Sequence, residues 1–551
     1  MKKQYIKILI LLILLPAIIL QGCWLPSHLY PPPQAPQEPE LFEPPEPEAP
    51  EPEEQPTPGR FTLRYEPQFT MNPIRALNRD NIMLTSLLYE SLFILNEDLV
   101  ARPLLCAKWE TEDNVTFNFE IMPNIAMHDG SIMTADDVSY SLRQAMNHQR
   151  SRHRSKLRSI ESVTSDGELT VTVTLESPNA RFIRLLDIPI IKSGSMDENL
   201  PAGSGPYQFP HPEAMILNRF PRHRHFADMP LSTIRLLECS DSDLTQLFDS
   251  GELSLLWDDP AGAFDIRLNR PHEPRLYNTT AMQYLGFNAN SPALRNPDVR
   301  RAIGCAIERQ YIVENIMNVP RSGQTIAAPA TFSPVFDLYD QHWEQRGDLL
   351  REMGALLQQA GLEDFYHDSF LAMPDGYGGF VRFELIFIVN IENSYKVATA
   401  TRIAESLRQF GFNVNVRALQ WNDFVEALEE GRFDMYYGET LLGADFDLTP
   451  LLLPGDDNLN FGSTGNTVYR PLIQTFLAAS TAEEVSIAGE QLNLAIVQNA
   501  PFIPILYKRH AIYTPLGVVS GATGHQPGVS PSQSGVFINF QRWAIDLEML
   551  T

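Results

Sequence analysis

Cysteine is scarce: only Cys23, Cys106, Cys239 and Cys305 occur in 551 residues, too few to staple a chain of this size with disulfides. With Cys23 set aside an odd number remains, so at least one thiol is free. Cys106 in LLCAKW and Cys305 in AIGCAIE lie among apolar residues, where a thiol behaves as a small hydrophobe. No C-x-x-C pair and no Cys/His cluster at zinc spacing occurs, so neither a metal nor another cofactor is expected. Basic residues are outnumbered, 42 against 68 acidic ones, giving a net charge of −26. Nucleic acid is thereby excluded as a partner, because its phosphates need Lys and Arg to neutralise them. The excess either keeps a secreted protein soluble and monomeric by self-repulsion or has no specific meaning. A phosphate-cradling Gly-rich loop is missing, as are a nucleophile with an oriented base and any repeat of solenoid period. The chain is therefore not expected to be an enzyme.

What is present begins at the N-terminus. Lys2, Lys3 and Lys7 flank an apolar run over 8–20, shorter than the ~20 residues of a membrane span. A positive start and a short apolar core read as a secretory signal over 1–22. The run ends in Leu20-Gln21-Gly22-Cys23, which resembles the bacterial lipobox. That resemblance implies acylation of the Cys23 thiol and cleavage before it; the alternative is an uncleaved membrane anchor. The expected location is the outer face of the bacterial cytoplasmic membrane, held there by acyl chains. Residues 23–60 form a Pro/Glu-rich stretch, with EPPEPEAPEPEEQPTP at its centre. Proline removes backbone donors and the glutamates repel one another, so the stretch is expected to be an extended tether with a reach on the order of 80 Å.

Globular sequence starts near Phe61. The segments 116–121 (TFNFEI) and 168–175 (ELTVTVTL) alternate with the two-residue period of half-buried strands. Between them a helix is expected from Ala135, capped by Thr134, with Asp136 and Asp137 against the positive end of its dipole. Strands are expected over 383–390, 412–419 and 433–437, with helices over 394–410 and 421–430. Strand-helix-strand-helix-strand makes an α/β lobe with neighbouring parallel strands, opened by a continuous helix over 297–317. The expected architecture is α/β with two lobes and a ligand cleft between them.

Several segments, in order, resemble the family 5 extracellular solute-binding proteins of peptide and nickel ABC importers. They are Leu88-Tyr89-Glu90-Ser91-Leu92; 102–109 (RPLLCAKW); 127–138 (MHDGSIMTADDV) with Ser141; Gly203-Ser204-Gly205-Pro206-Tyr207; 295–303 (RNPDVRRAI); and 350–361 (LREMGALLQQAG). The resemblance implies a periplasmic-binding-protein-like fold of class II with an extra domain. The expected division places lobe I over 61–275 with an inserted subdomain at about 95–200, lobe II over 276–505, and a return to lobe I over 506–551. Read from the residues themselves, Asp129-Gly130 makes a turn and His128-Asp129 is no catalytic dyad; Gly203-Ser204-Gly205 is a bend or an inter-lobe crossing.

The segment 439–447 (ETLLGADFD) resembles the family's W-x-A-D-Y-x-D-P element. In peptide binders the first Asp of that element pairs with the peptide's α-ammonium group, which here implies Asp445; the other reading is that Asp445 caps or bridges the lobes. Leu442 stands where peptide binders have Trp, Gly443 lies beside it, and Thr449 precedes Pro450 where the pattern has an adjacent Asp. Asp447 is expected to be structural. Glu439 either makes the pocket more acidic, favouring a cationic solute, or is a solvated loop charge. The basic run 150–158 is expected to be an exposed loop or a partner patch, 222–225 a solvated surface loop in preference to a metal- or anion-binding one, and Trp421 a core residue in preference to a ligand stacker. The function implied is capture of a short peptide or other small cationic solute for an ABC permease. Rivals are a nickel or metal-chelate receptor of the same fold, a secreted lipoprotein hydrolase, and a receptor that senses a solute without transporting it.

Overall fold

A computed structural model describes residues 60–262, 266–317, 326–327, 346–455, 459–462, 467–521 and 535–550. The chain divides into two units, Met1–Gln55 and Pro56–Thr551, and every described residue belongs to the second. The signal segment, Cys23 and the tether lie outside the described residues.

The first lobe is built on a four-stranded sheet. Strand Thr62–Arg64 runs parallel to Thr233–Leu237, which continues antiparallel through Ile216–Arg219 to Tyr207–Gln208. A second, antiparallel sheet orders Cys106–Glu110, Thr116–Ile121, Thr170–Leu175 and Ile160–Ser165. The period-two pattern works as expected there: Phe117, Phe119 and Ile121 point inward from one strand, and Val171, Val173 and Leu175 from its partner. Helix Ala135–Asn147 starts where Thr134 leaves extended backbone, and the Asp137 carboxylate accepts from the Thr134 N–H at 2.9 Å. Gly130 takes φ +88° in the turn before it, a conformation that suits glycine.

The second lobe holds a seven-stranded sheet. Leu385–Asn390 runs parallel to both Val414–Leu419 and Met435–Leu441, with helices Ser394–Gln409 and Trp421–Glu429 as the crossovers. Two elements depart from expectation. The helix from Pro297 stops at Cys305, resumes over Arg309–Ile312 and passes into a π-helical turn that ends, as expected, at Met317. At the break, the Ala306 carbonyl accepts from Ser406 Oγ at 2.7 Å and Arg309 Nε donates to the Pro504 carbonyl at 3.0 Å, so tertiary hydrogen bonds replace helical ones. The last strand extends to Leu441, because Met435–Leu441 pairs antiparallel along Ala281–Phe287. Glu439 is therefore a strand residue rather than a loop residue. Trp421 is 54% exposed and not part of the core. No described helix is long and apolar enough to cross a membrane.

Two long strands, His272–Phe287 and Phe502–Pro515, link the lobes. At one end Ile512 joins the core of residues 61–255; at the other Leu285, Phe287, Ile505 and Leu506 join the core of the second lobe. Midway their register slips: Asn278 faces Arg509 but Met282 faces Tyr507. Thr279, Thr280 and Ala281 form the resulting bulge, a common device for re-aiming side chains next to a site.

Candidate functional site

A cavity of about 300 Å³ opens where the bulge, the second-lobe loop 442–448 and three first-lobe segments converge. Thr280 ties the bulge to the loop: its Oγ1 donates to the Leu442 carbonyl at 2.8 Å, and the Leu442 N–H donates to the Thr280 carbonyl at 3.1 Å. The chain then turns tightly, with the Phe446 N–H on the Gly443 carbonyl and Phe446 at φ +56°. A Cβ at Gly443 would lie 2.6 Å from the Asp445 carboxylate, so the turn needs glycine there to leave that carboxylate in place.

Asp445 is 3% exposed. It accepts from Asn179 Nδ2 at 2.9 Å through one oxygen and from the Asp447 N–H at 3.3 Å through the other. Burial and then repulsion from Asp447 lift its carboxyl above the usual range, against the bond from Asn179. Arg181 joins the same junction: its Nε donates to the Asp445 carbonyl at 3.2 Å, its Nη2 to the Phe476 carbonyl at 2.7 Å, and the guanidinium lies 4.2 Å from the centre of the Phe476 ring. With Ala180 N–H on the Leu477 carbonyl, the turn at 179–181 clasps the second lobe.

The sequence-expected residues Leu442, Gly443 and Asp445 line the cavity together; Glu439 is not among its lining residues. The Glu439 carboxylate instead faces Lys508 at 2.8 Å, Lys396 at 3.1 Å and Gln283 Nε2 at 2.9 Å. Burial alone would raise that carboxyl; the two ammonium groups outweigh it and hold it at about 2. Lys508 also contacts Asp259, so its buried ammonium joins three segments beside the bulge. No metal-holding group of His, Cys, Asp and Glu occurs among the described residues.

The basic run 150–158 is the residue set that sequence reasoning misplaced. Arg152, Lys156 and Arg158 line the cavity opposite the Asp445 loop. Lys156 pairs with Asp187, and Arg158 with Asp447 at 3.1 Å; Asp447 thus carries a lobe-to-lobe ion pair. Burial, reinforced by Arg152, presses the Lys156 ammonium down to about 7, with Asp445 opposing, and burial lowers Arg152 to about 9. In sequence the run looks like a solvated loop, and nothing local to it signals carboxylates waiting 31 residues away at Asp187 and 289 away at Asp447.

The run 222–225 is an exposed turn, as expected, at Arg222, Arg224 and His225, and departs from that reading only at His223. His223 is buried, and with Arg224 it clasps the buried Glu90: His223 Nε2 lies 3.3 Å and Arg224 Nη2 2.6 Å from the carboxylate, to which Ser204 Oγ donates at 3.0 Å. Gly203 and Gly205 press against the Leu88 backbone, where a Cβ would come within 2.4 Å of it. His128 Nε2 lies 3.1 Å from the Gly205 carbonyl. The segments 88–92, 127–138 and 203–207 therefore meet in one structural hub away from the cavity.

The family model described as bacterial extracellular solute-binding proteins, family 5, middle part, matches residues 100–456. The probable deoxycholate-binding periplasmic protein YgiS of Escherichia coli is 24% identical over 80% of this chain and 86% of its own length. The dipeptide-binding protein DppE of Bacillus subtilis is 21% identical over 84% and 88%. In fold, the chain matches the ABC transporter substrate-binding protein CtaP of Listeria monocytogenes with a TM-score of 0.71, at 18% identity, over 89% of this chain and all of that one. With a two-lobed α/β architecture and a family match that spans the second four-stranded sheet, both crossovers and the Asp445 loop, this chain belongs to the bacterial extracellular solute-binding proteins of family 5.

Proposed function

We propose that the chain captures a short peptide outside the cytoplasmic membrane by closing its lobes over the inter-lobe cavity, and delivers it to the permease of an ABC importer. The observation that carries this reading is the cavity itself. It lies at the junction of the lobes and its walls hold buried charges of both signs, and the segment with Asp445 resembles the element whose first Asp meets an α-ammonium group in the family's peptide binders. Burial penalises the ionised Asp445, so a cation brought by the solute forms a strong charge-assisted bond there. The solute touches both walls, stabilises the closed arrangement by its differential affinity, and the bulge at 279–281 gives the linking strands a place to bend. No bond is made or broken. Acylated Cys23 and the tether 23–60 hold the receptor at the membrane, as a monomer.

Native mass spectrometry of gently purified protein tests the capture. A set of co-purifying peptide masses supports it, whereas a nickel chelate, a haem or a sterol-like mass would replace the peptide by another solute. Palmitate labelling that persists in Cys23→Ser would refute the lipid anchor.

A further inference from the structure

The segment 362–384 of the second lobe carries aromatic rings that take no part in the cavity lining. Leu362 and Leu371 root it in the second-lobe core, and the Leu371 N–H donates to the Gly411 carbonyl at 2.8 Å. Between these anchors every residue of 363–370 is exposed, Phe365, Tyr366 and Phe370 among them. A short antiparallel hairpin follows, Ala372–Pro374 with Phe380–Arg382, and Tyr377 at its tip is 97% exposed. The rings are held in place. Phe365 stacks on Phe380 at 4.4 Å and 14°, and the Tyr366 hydroxyl donates to the Phe380 carbonyl at 2.7 Å. The Asp364 carboxylate accepts from the Asp368 and Ser369 N–H groups at 3.0 Å each, and that of Asp375 from Tyr377 N–H at 2.8 Å and Gly379 N–H at 2.9 Å. His367 and Ser369 take φ of +56° and +69°, a conformation that such residues adopt only when the surrounding structure imposes it. Exposed rings fixed in advance lose little freedom on contact, and they are the side chains that anchor protein interfaces.

Charge says what covers these rings. Glu363, Asp364, Asp368, Asp375 and Glu384 lie among them, against the guanidinium of Arg382. A second copy of the chain would bring the same acidic face to this one. The stretch 31–58 would bring eight glutamates and no Lys or Arg, and anionic lipid headgroups would be repelled likewise. A basic surface is attracted instead. Arg382 displays the fit: its guanidinium lies 4.5 Å from the centre of the Tyr366 ring and pairs with Asp368, a cation held by a ring and a carboxylate together. Tyr377 with Asp375 offers an incoming arginine or lysine the same two partners.

We propose that the acidic aromatic face 363–384 is where the receptor docks on the membrane subunits of its importer, through a loop of theirs that carries arginine or lysine; this rests on delivery to a permease. Photo-crosslinking of the full-length protein in its native membrane tests it. The photoreactive residue p-benzoylphenylalanine replaces Tyr377 or, for comparison, one of the exposed residues Leu77, Leu494 and Leu516, and the attached protein is identified by mass spectrometry. Position 377 attaches to an importer membrane subunit in higher yield than the other three, and Glu363→Lys with Glu384→Lys lowers that yield at least about fivefold. Attachment of position 377 to another copy, to the stretch 31–58 or to lipid, or a yield no higher than at the other positions, overturns the docking face while a membrane subunit captured elsewhere leaves delivery intact. An undiminished yield in the charge-reversed protein overturns the basic partner. If none of the four positions reaches a membrane subunit, delivery and docking face fail together.

Discussion

Replacing Lys508 by Met keeps the aliphatic stem and removes the ammonium that joins Glu439 and Asp259 beside the bulge. The stake can be worked from Glu439, whose carboxyl is held at about 2 against an ordinary 4.5. At ~1.36 kcal/mol for each tenfold change in proton affinity, that is about 3 kcal/mol of stability. The sign is that of a depressed carboxyl: the stabilisation is complete above pH 4.5 and drains away as pH falls toward 2. Lys396 and Gln283 remain after the substitution, so not all of it is lost. Asp259 and Glu439, however, keep their charges with one cation fewer, and breaking a buried pair one-sidedly costs about 3–5 kcal/mol. The expected loss at pH 7 is therefore about 2–4 kcal/mol, read from urea unfolding of parent and variant between pH 2.5 and 7. The stability curve of Lys508→Met is also flatter below pH 4.5, and adding Glu439→Gln restores part of the loss. A variant within ~0.5 kcal/mol of the parent at pH 7, or one with an unchanged acid slope, would refute the reasoning.

Three further outcomes are expected. Asp445→Asn removes the charge and one of the two acceptors that meet Asn179 Nδ2 and the Asp447 N–H, and should weaken binding of a free-amine peptide at least about tenfold with a modest fall in Tm; unchanged titration heats would reject an ammonium contact at Asp445. Glu90→Gln leaves Arg224 and the buried His223 without their carboxylate and should cost about 2 kcal/mol in thermal stability, with ligand affinity unaffected since the hub lies away from the cavity. His510, which burial lowers to about 4, stays neutral in the folded chain while the unfolded chain takes up its proton below about pH 6.5. Stability should therefore fall between pH 6.5 and 4, and His510→Asn should level that part of the curve; an equally steep fall in the variant would contradict the assignment.

What could be read from the sequence and what could not divide along the distance over which each feature is made. The Thr134–Asp137 cap closes within one helical turn, the turn at Gly130 within four residues, and the inward set Phe117, Phe119 and Ile121 within one strand; residue order alone displays such features. The end of the strand at Leu441 depends on Ala281, and the break after Cys305 depends on Ser406 and Pro504, so neither is visible in the local pattern. Charge is the extreme case. A cluster such as 150–158 is costly to bury by itself and is rightly read as solvated when nothing else is known. Asp187 lies 31 residues beyond Lys156 within the first lobe, and Asp447 lies 289 beyond Arg158 in the second; the fold of one lobe makes the first pair, and only the meeting of the two lobes makes the second. The same holds for Asn179 and Asp445, 266 residues apart. A receptor that works by bringing two lobes together must draw its site from segments distant in sequence. The single loop that motif reading could find, 442–448, is therefore one wall of the cavity, and the wall that carries Arg152, Lys156 and Asp187 becomes visible only in the folded chain.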